Sequence, residues 1–460
     1  MADRIIPNGS GAWSHGGAWS HGGAWSHGGA WSHGGAWSRG GAWSRGGAWS
    51  RGGARPGCGS RGELPRRRVC AVAFASVLSL AACGSPPPAA APTPPVSSPA
   101  AVPSAVPSSA SSPSAVPGAD CVGRTLGRMS LADRAGQVLM VGTSVNAPGG
   151  LANAVQKYRL GGVFLHGRST HSAKQLRTGV AALQKRAAHP LLISLDQEGG
   201  NVQTLKGRDF PRRPTAEKLG AGPASRLRDA TSDEARRLAA IGVTMNLAPV
   251  ADTVPAALGE GNPPIGFWHR QYGSDPAKVA AAVRTVVPAS QDAGVLTVLK
   301  HFPGLGRVRA NTDTSTKAVD KTATVDDPYL QPFKAGIQAG SAAVMMSSAS
   351  YPALDRSAIA AFSRPIVTGL LRDRLGYRGL IMSDDLGAGV AVFAVPPGQR
   401  AVRFVAAGGD LVLTIRPADA ATMTRALTER AEDDPAFDKR LTEATQNVLR
   451  TKERAGLLRC

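Results

Sequence analysis

At 460 residues, with a formal net charge of +21, 42% hydrophobic and 5% aromatic side chains, the chain is long enough for more than one domain. Its cationic side chains are scattered and no nucleic-acid recognition motif accompanies them, which argues against nucleic acid and leaves anionic wall polymers or lipid headgroups as what the basic balance attracts. No apolar stretch is long enough to cross a bilayer as a stable helix.

Residues 1–65 do not read as a folded unit. From Gly11 to Gly52 a six-residue unit runs seven times, four as GAWSHG and three as GAWSRG. The period is too short for a solenoid and too rich in glycine to bury a core. Its histidines, His15, His21, His27 and His33, would suit metal binding, but the segment is read as disordered or as translated upstream of the true start codon. Residues 66–83 follow as a basic triplet, Arg66 to Arg68, an apolar run from Val69 to Leu80, and small residues ending at Cys83. That is the order of a secretory signal. The ending Leu-Ala-Ala-Cys resembles a bacterial lipoprotein signal, which implies lipidation of Cys83 and a protein exported and anchored to the outer face of the cell membrane. Residues 84–120, almost wholly Pro, Ala, Ser and Val, read as an extended spacer.

Residues 121–460 are then the folded domain. Eight short apolar runs can be marked: Val138 to Val141, Gly162 to Leu165, Leu191 to Leu195, Met245 to Ala248, Val295 to Leu299, Ala343 to Met346, Leu380 to Met382 and Leu411 to Leu413. Stretches of helical character separate them, so an α/β fold of the (β/α)8 barrel type is expected, with the site on the loops after the strands. Asp275-Pro276 and Asp327-Pro328 read as helix starts, Gly340 as a helix end, and Pro288 as a kink or early stop. Polar side chains follow several runs: Asp196, Asp252, Lys300 with His301, Ser347, and Asp384 with Asp385. The segment from Lys300 to Ser315, KHFPGLGRVRANTDTS, gathers a cation, an imidazole and carboxylates on a loop shaped by Pro303, Gly304 and Gly306. Cys121 and Cys460, at the two ends of an exported domain, could form a disulfide, the alternative being two unpaired thiols.

The motifs LISLDQEGG ending at Gly200, NLAPVAD from Asn246, KHFPGLG from Lys300 and IMSDDL from Ile381 resemble glycoside hydrolase family 3, most closely its single-domain bacterial β-N-acetylglucosaminidases. The resemblance implies a barrel, no cofactor and no metal. It also implies Asp384 as the nucleophile and Asp196, Arg270, Lys300 and His301 as binders of the terminal sugar. Where that family carries a histidine acid/base this chain has Asp313, which becomes the candidate proton donor; Leu305 and Thr204 stand at two further departures, in place of a histidine and an arginine. The leading reading is an exported, lipid-anchored, retaining exo-β-N-acetylglucosaminidase acting on peptidoglycan fragments or related amino sugars. The alternatives are a family 3 β-glucosidase or glycoside phosphorylase, and a sugar-binding lipoprotein without turnover. The sequence sets no oligomeric state.

Overall fold

The computed structural model describes residues 120–458. The repeat, the signal with Cys83, nearly all of the spacer, and Cys460 lie outside them.

Eight parallel strands close into a barrel in chain order, the last pairing with the first. They are β1 Leu139–Ser144, β2 Gly162–His166, β3 Leu192–Leu195, β4 Met245–Asn246, β5 Leu296–Phe302, β6 Ala343–Met346, β7 Leu380–Asp385 and β8 Leu411–Thr414. Each apolar run of the sequence becomes one strand. Three extend three residues further than hydropathy indicates: β1 reaches Ser144, which pairs with His166, β5 reaches Phe302, which pairs with Met346, and β7 reaches Asp385, which pairs with Leu413. Lys300, His301, Asp384 and Asp385 therefore stand on strands, not on the loops after them.

The barrel helices are α1 Ala152–Tyr158, α2 Ala173–Arg186, α3 Ala224–Ala240, α4 Pro276–Gln291, α5 Gln331–Gln338, α6 Pro365–Arg374, α7 Pro397–Ala406 and α8 Asp419–Asp433, and α9 Pro435–Arg454 follows. Asp275 caps α4 by accepting from the backbone of Ala277 and Lys278, and Asp327 starts the turn before α5 by accepting from Tyr329. Gly340 has φ +80 just beyond α5, the left-handed conformation that ends a helix. Pro288 does not stop α4, which runs on to Gln291; it sits on the exposed side, where losing one backbone donor costs least.

Side chains of alternate strand positions fill the barrel, among them Met140, Phe164, Leu192, Met245, Leu296 and Leu380. Full burial of each is worth about 1.5–3 kcal/mol. Val448 of α9 packs into the same cluster, while a second, larger core lies between strands and helices. Both ends of the strands are thereby given different tasks: apolar packing below and polar side chains above. Cys121 is buried and disulfide-bonded. No helix among the described residues is long and apolar enough to cross a membrane.

Candidate active site

Asp196 directly follows β3, and the chain then folds back as a two-strand ribbon, Gln197–Gly199 against Val202–Gln203. This brings Glu198 beside Asp196. Lys300, near the end of β5, donates its Nζ proton to Asp196 Oδ1 at 2.6 Å and lies 2.6 Å from Glu198 Oε1. Arg270 grips Glu198 with two bonds, Nε to Oε2 at 2.8 Å and Nη2 to Oε1 at 2.7 Å. All four side chains are buried, so two cations and two carboxylates answer one another in a low-dielectric setting. Burial would raise the Glu198 pKa, but the Arg270 and Lys300 charges bring it down to about 2. For Asp196 burial dominates, and Glu198 adds to it, so its pKa is raised despite Lys300. Lys300 is itself held above its usual range because the two carboxylates outweigh burial.

Asp196 Oδ2 is buried without a hydrogen-bond partner among the described residues, and so is Thr204 Oγ1. An orphaned acceptor in such a site costs stability unless a ligand hydroxyl meets it. Arg168, on the loop after β2, donates to the carbonyls of Gly167 and Asn201, and both carboxylates act on its charge. Glu198 and Arg168 were not singled out by the sequence reading. Glu198 had a signal, a carboxylate two residues from Asp196 ahead of Gly199-Gly200; Arg168 had none beyond following an apolar run.

His301 is set from the neighbouring strand end. Its Nδ1 lies 2.7 Å from Asp252 Oδ2, and the same carboxylate accepts the backbone N–H of His301 at 3.2 Å and of Leu305 at 2.7 Å. Arg270 Nη2 lies 3.5 Å from His301 Nε2. Arginine only donates, so this geometry assigns the ring proton to Nδ1. Beyond His301 the loop needs Gly306: a Cβ there would meet the Thr253 carbonyl at 1.7 Å. Asn262 secures the same loop by donating to the carbonyls of Leu305 and Val308.

Asp384 and Asp385 end β7 with different surroundings. Asp385 accepts from the backbone of Gly387 at 2.9 Å, Ala388 at 2.8 Å and Ile415 at 2.9 Å, which makes it a brace between the loops after β7 and β8. Asp384 accepts one backbone bond, from Asp385 at 2.8 Å, leaving most of its carboxylate to the mouth. Burial raises its pKa; Lys300 acts to lower it and Asp313 to raise it. Asp313 is thus close enough to Asp384 for their charges to repel. Arg307, on the same loop as Asp313, pairs elsewhere: it donates to Asp320 at 2.8 Å and to Asp327, and stacks over Tyr329 at 4.3 Å. Arg309 is exposed. Asp196, Lys300, His301, Arg270, Asp384 and Asp313 are all brought to one end of the barrel, the carboxyl end of its strands, where this fold keeps its chemistry.

Residues 130–451 match the glycosyl hydrolase family 3 N terminal domain. The chain is 34% identical over 276 residues to a β-hexosaminidase of Xanthomonas oryzae pv. oryzae, covering 57% of this chain and 78% of that one. Among solved structures it is similar to a β-N-acetylhexosaminidase from Beutenbergia cavernae, with a TM-score of 0.68 and 42% identity over 71% of this chain and 99% of the other. A family 3 β-N-acetylglucosaminidase from Paenibacillus gives a TM-score of 0.65 at 30% identity, covering 72% and 63%. A parallel eight-stranded barrel with a buried charge cluster at its carboxyl end, matched by that family over most of its length, makes this chain a member of glycosyl hydrolase family 3 and a glycoside hydrolase.

Proposed function

We propose that the protein is a retaining, exo-acting β-N-acetylglucosaminidase that removes terminal β-linked N-acetylglucosamine from peptidoglycan fragments or related amino sugars. The observation that carries this is the orphaned Asp196 oxygen inside a buried, otherwise satisfied cluster facing Asp384. A sugar hydroxyl supplies what Asp196 lacks, and Arg270 and Lys300 offer donors around it, with His301 Nε2 as an acceptor. The amino sugar itself is taken from the names of the similar proteins, a β-N-acetylhexosaminidase and a β-N-acetylglucosaminidase.

In this reading Asp384 attacks the anomeric carbon as the glycosidic bond breaks, and Asp313 gives its proton to the departing oxygen. The glycosyl-enzyme is then cleaved by water, whose proton returns to Asp313. Mutual repulsion between the two carboxylates favours a state in which one of them holds a proton, as an acid and a nucleophile require. Release of the phenol from an aryl β-N-acetylglucosaminide, with Asp384 trapped by a fluorinated glycoside, tests the proposal. A binding protein would give neither result, and a sugar phosphate formed only with added phosphate would indicate a phosphorylase.

We also propose export and anchoring through Cys83, on the strength of its place at the end of a basic and apolar signal. Normal processing and unchanged membrane partition of Cys83→Ala would reject the anchor.

A further inference from the structure

His166 is the last residue of β2, two positions beyond Phe164. Side chains two apart on a strand share a face, and Phe164 belongs to the apolar cluster that fills the barrel. The contact agrees: the two rings stack with centroids 6.4 Å apart and planes at 25°. The imidazole therefore lies on top of the apolar filling, on the floor of the mouth in which Asp196, Lys300 and Asp384 also end.

Room is kept beside it. Gly142 of β1 pairs with Phe164, one step below the Ser144–His166 pair, and a Cβ there would come within 3.1 Å of His166 Cδ2 and 2.6 Å of the Ile415 Cα. The ring is partly exposed and makes no hydrogen bond or ion pair with any described residue. Burial lowers its pKa, so near neutrality it is uncharged and presents one donor and one acceptor. Packing alone does not account for an imidazole here. A phenylalanine would stack on Phe164 as well, without placing two ring nitrogens above an apolar layer.

We propose that His166 is a specificity-determining residue of this hydrolase: from the β1–β2 side of the mouth its ring hydrogen-bonds a hydroxyl of the terminal sugar held by Asp196, Lys300 and Arg270. The inference rests on the reading of the site as a sugar pocket given above. Neither charge nor bond making is asked of His166. Its contribution is a directional bond to one hydroxyl, and loss of that bond weakens one substrate class selectively.

The test uses His166→Phe, which keeps the stack and removes the nitrogens, and His166→Gln, which returns an amide at a comparable reach. Both are assayed on an aryl β-N-acetylglucosaminide and on its 3-, 4- and 6-deoxy analogues. His166→Phe should lose roughly 3- to 10-fold in kcat/KM on the parent, the size of one neutral hydrogen bond. It should equal the wild type on the analogue lacking the contacted hydroxyl, and His166→Gln should recover part of the loss. A variant equal to wild type on the parent, or weakened by the same factor on every analogue, overturns the proposal. Should the wild type turn over none of these glycosides, the reaction assigned above fails while His166 stays testable by binding. N-acetylglucosamine is then titrated into Asp384→Asn with and without His166→Phe. A roughly 3- to 10-fold weaker Kd supports the contact, and an unchanged Kd overturns it.

Discussion

Val390 donates its backbone N–H to the carbonyl of Asp313 over 3.3 Å, and Ala391 donates to Thr312 over 3.1 Å. The loop that follows β7 thus holds the tip of the loop that follows β5. The backbone of Asp313 is in this way tied by main-chain bonds to the loop that follows Asp384, whatever side chain stands at position 313.

That arrangement sets the first prediction, which concerns proton donation. General acid help matters most for a poor leaving group, since a good one departs as an anion. Asp313→Ala should therefore slow hydrolysis of a natural disaccharide by about 10²- to 10⁴-fold while sparing a dinitrophenyl glycoside. Azide should restore part of the rate on the activated substrate by entering the vacated space. Equal loss on both substrates, with no effect of azide, would make Asp313 a positional residue.

The two carboxylates at the end of β7 should separate chemistry from stability. Asp384→Asn should remove turnover and leave the thermal midpoint near that of the wild type, because only one backbone bond is disturbed. Asp385→Ala should do the reverse in kind: it strips three backbone N–H groups of their acceptor and should cost about 2–4 kcal/mol. Urea unfolding of both variants, read beside their activity, distinguishes the roles. An Asp384→Asn enzyme with substantial turnover would reassign the nucleophile.

Why the site was only partly legible follows from which forces leave a trace in sequence. The eight strands were, because burial on both faces demands unbroken apolar runs, and Ala343–Met346 was read to the residue. The ends of β5 and β7 were not, because there Lys300 is held by ion pairs, and Phe302 and Asp385 by parallel partners, that hydropathy does not record. Glu198 escaped notice for a related reason. Its importance comes from Arg270, 72 positions away, and only the fold brings them together. The pairing of Arg307 depended likewise on the fold, which brings it to Asp320 and Asp327.

Glu198 provides the third prediction. Glu198→Gln leaves Arg270 and Lys300 with only Asp196 among the carboxylates they now share, so one buried cation loses its counter-charge. Breaking a buried pair from one side costs about 3–5 kcal/mol. Its pKa of about 2 lies below that of an unfolded glutamate, so the stability it contributes is present above about pH 4.3 and is lost as pH falls toward 2. Wild type and Glu198→Gln should thus differ in denaturation midpoint at pH 7 and converge near pH 2. A constant gap across that window would show that Glu198 acts by packing rather than by charge.

Lys452 provides the last prediction, at the opposite end of the barrel. It is fully buried on α9, near Val448 of the barrel filling, and donates to Gln137 Oε1. Burial pushes its pKa down to about 7. In the unfolded chain the same ammonium titrates near 10.4. Between these values the unfolded state binds more protons than the folded one, so stability rises with pH across the window, by up to about 1.4 kcal/mol per unit. Below about 7 both states are charged and the penalty is constant; above about 10.4 both are neutral and it vanishes. Lys452→Met removes the titration but also leaves Gln137 Oε1 without its donor, at about 1–3 kcal/mol. The sign of its effect at any one pH is therefore not diagnostic, and the trend is. From pH 7 to pH 10 the wild type should gain roughly 3 kcal/mol relative to Lys452→Met in urea unfolding. Parallel stability curves over that range would mean that Lys452 stays protonated inside the fold.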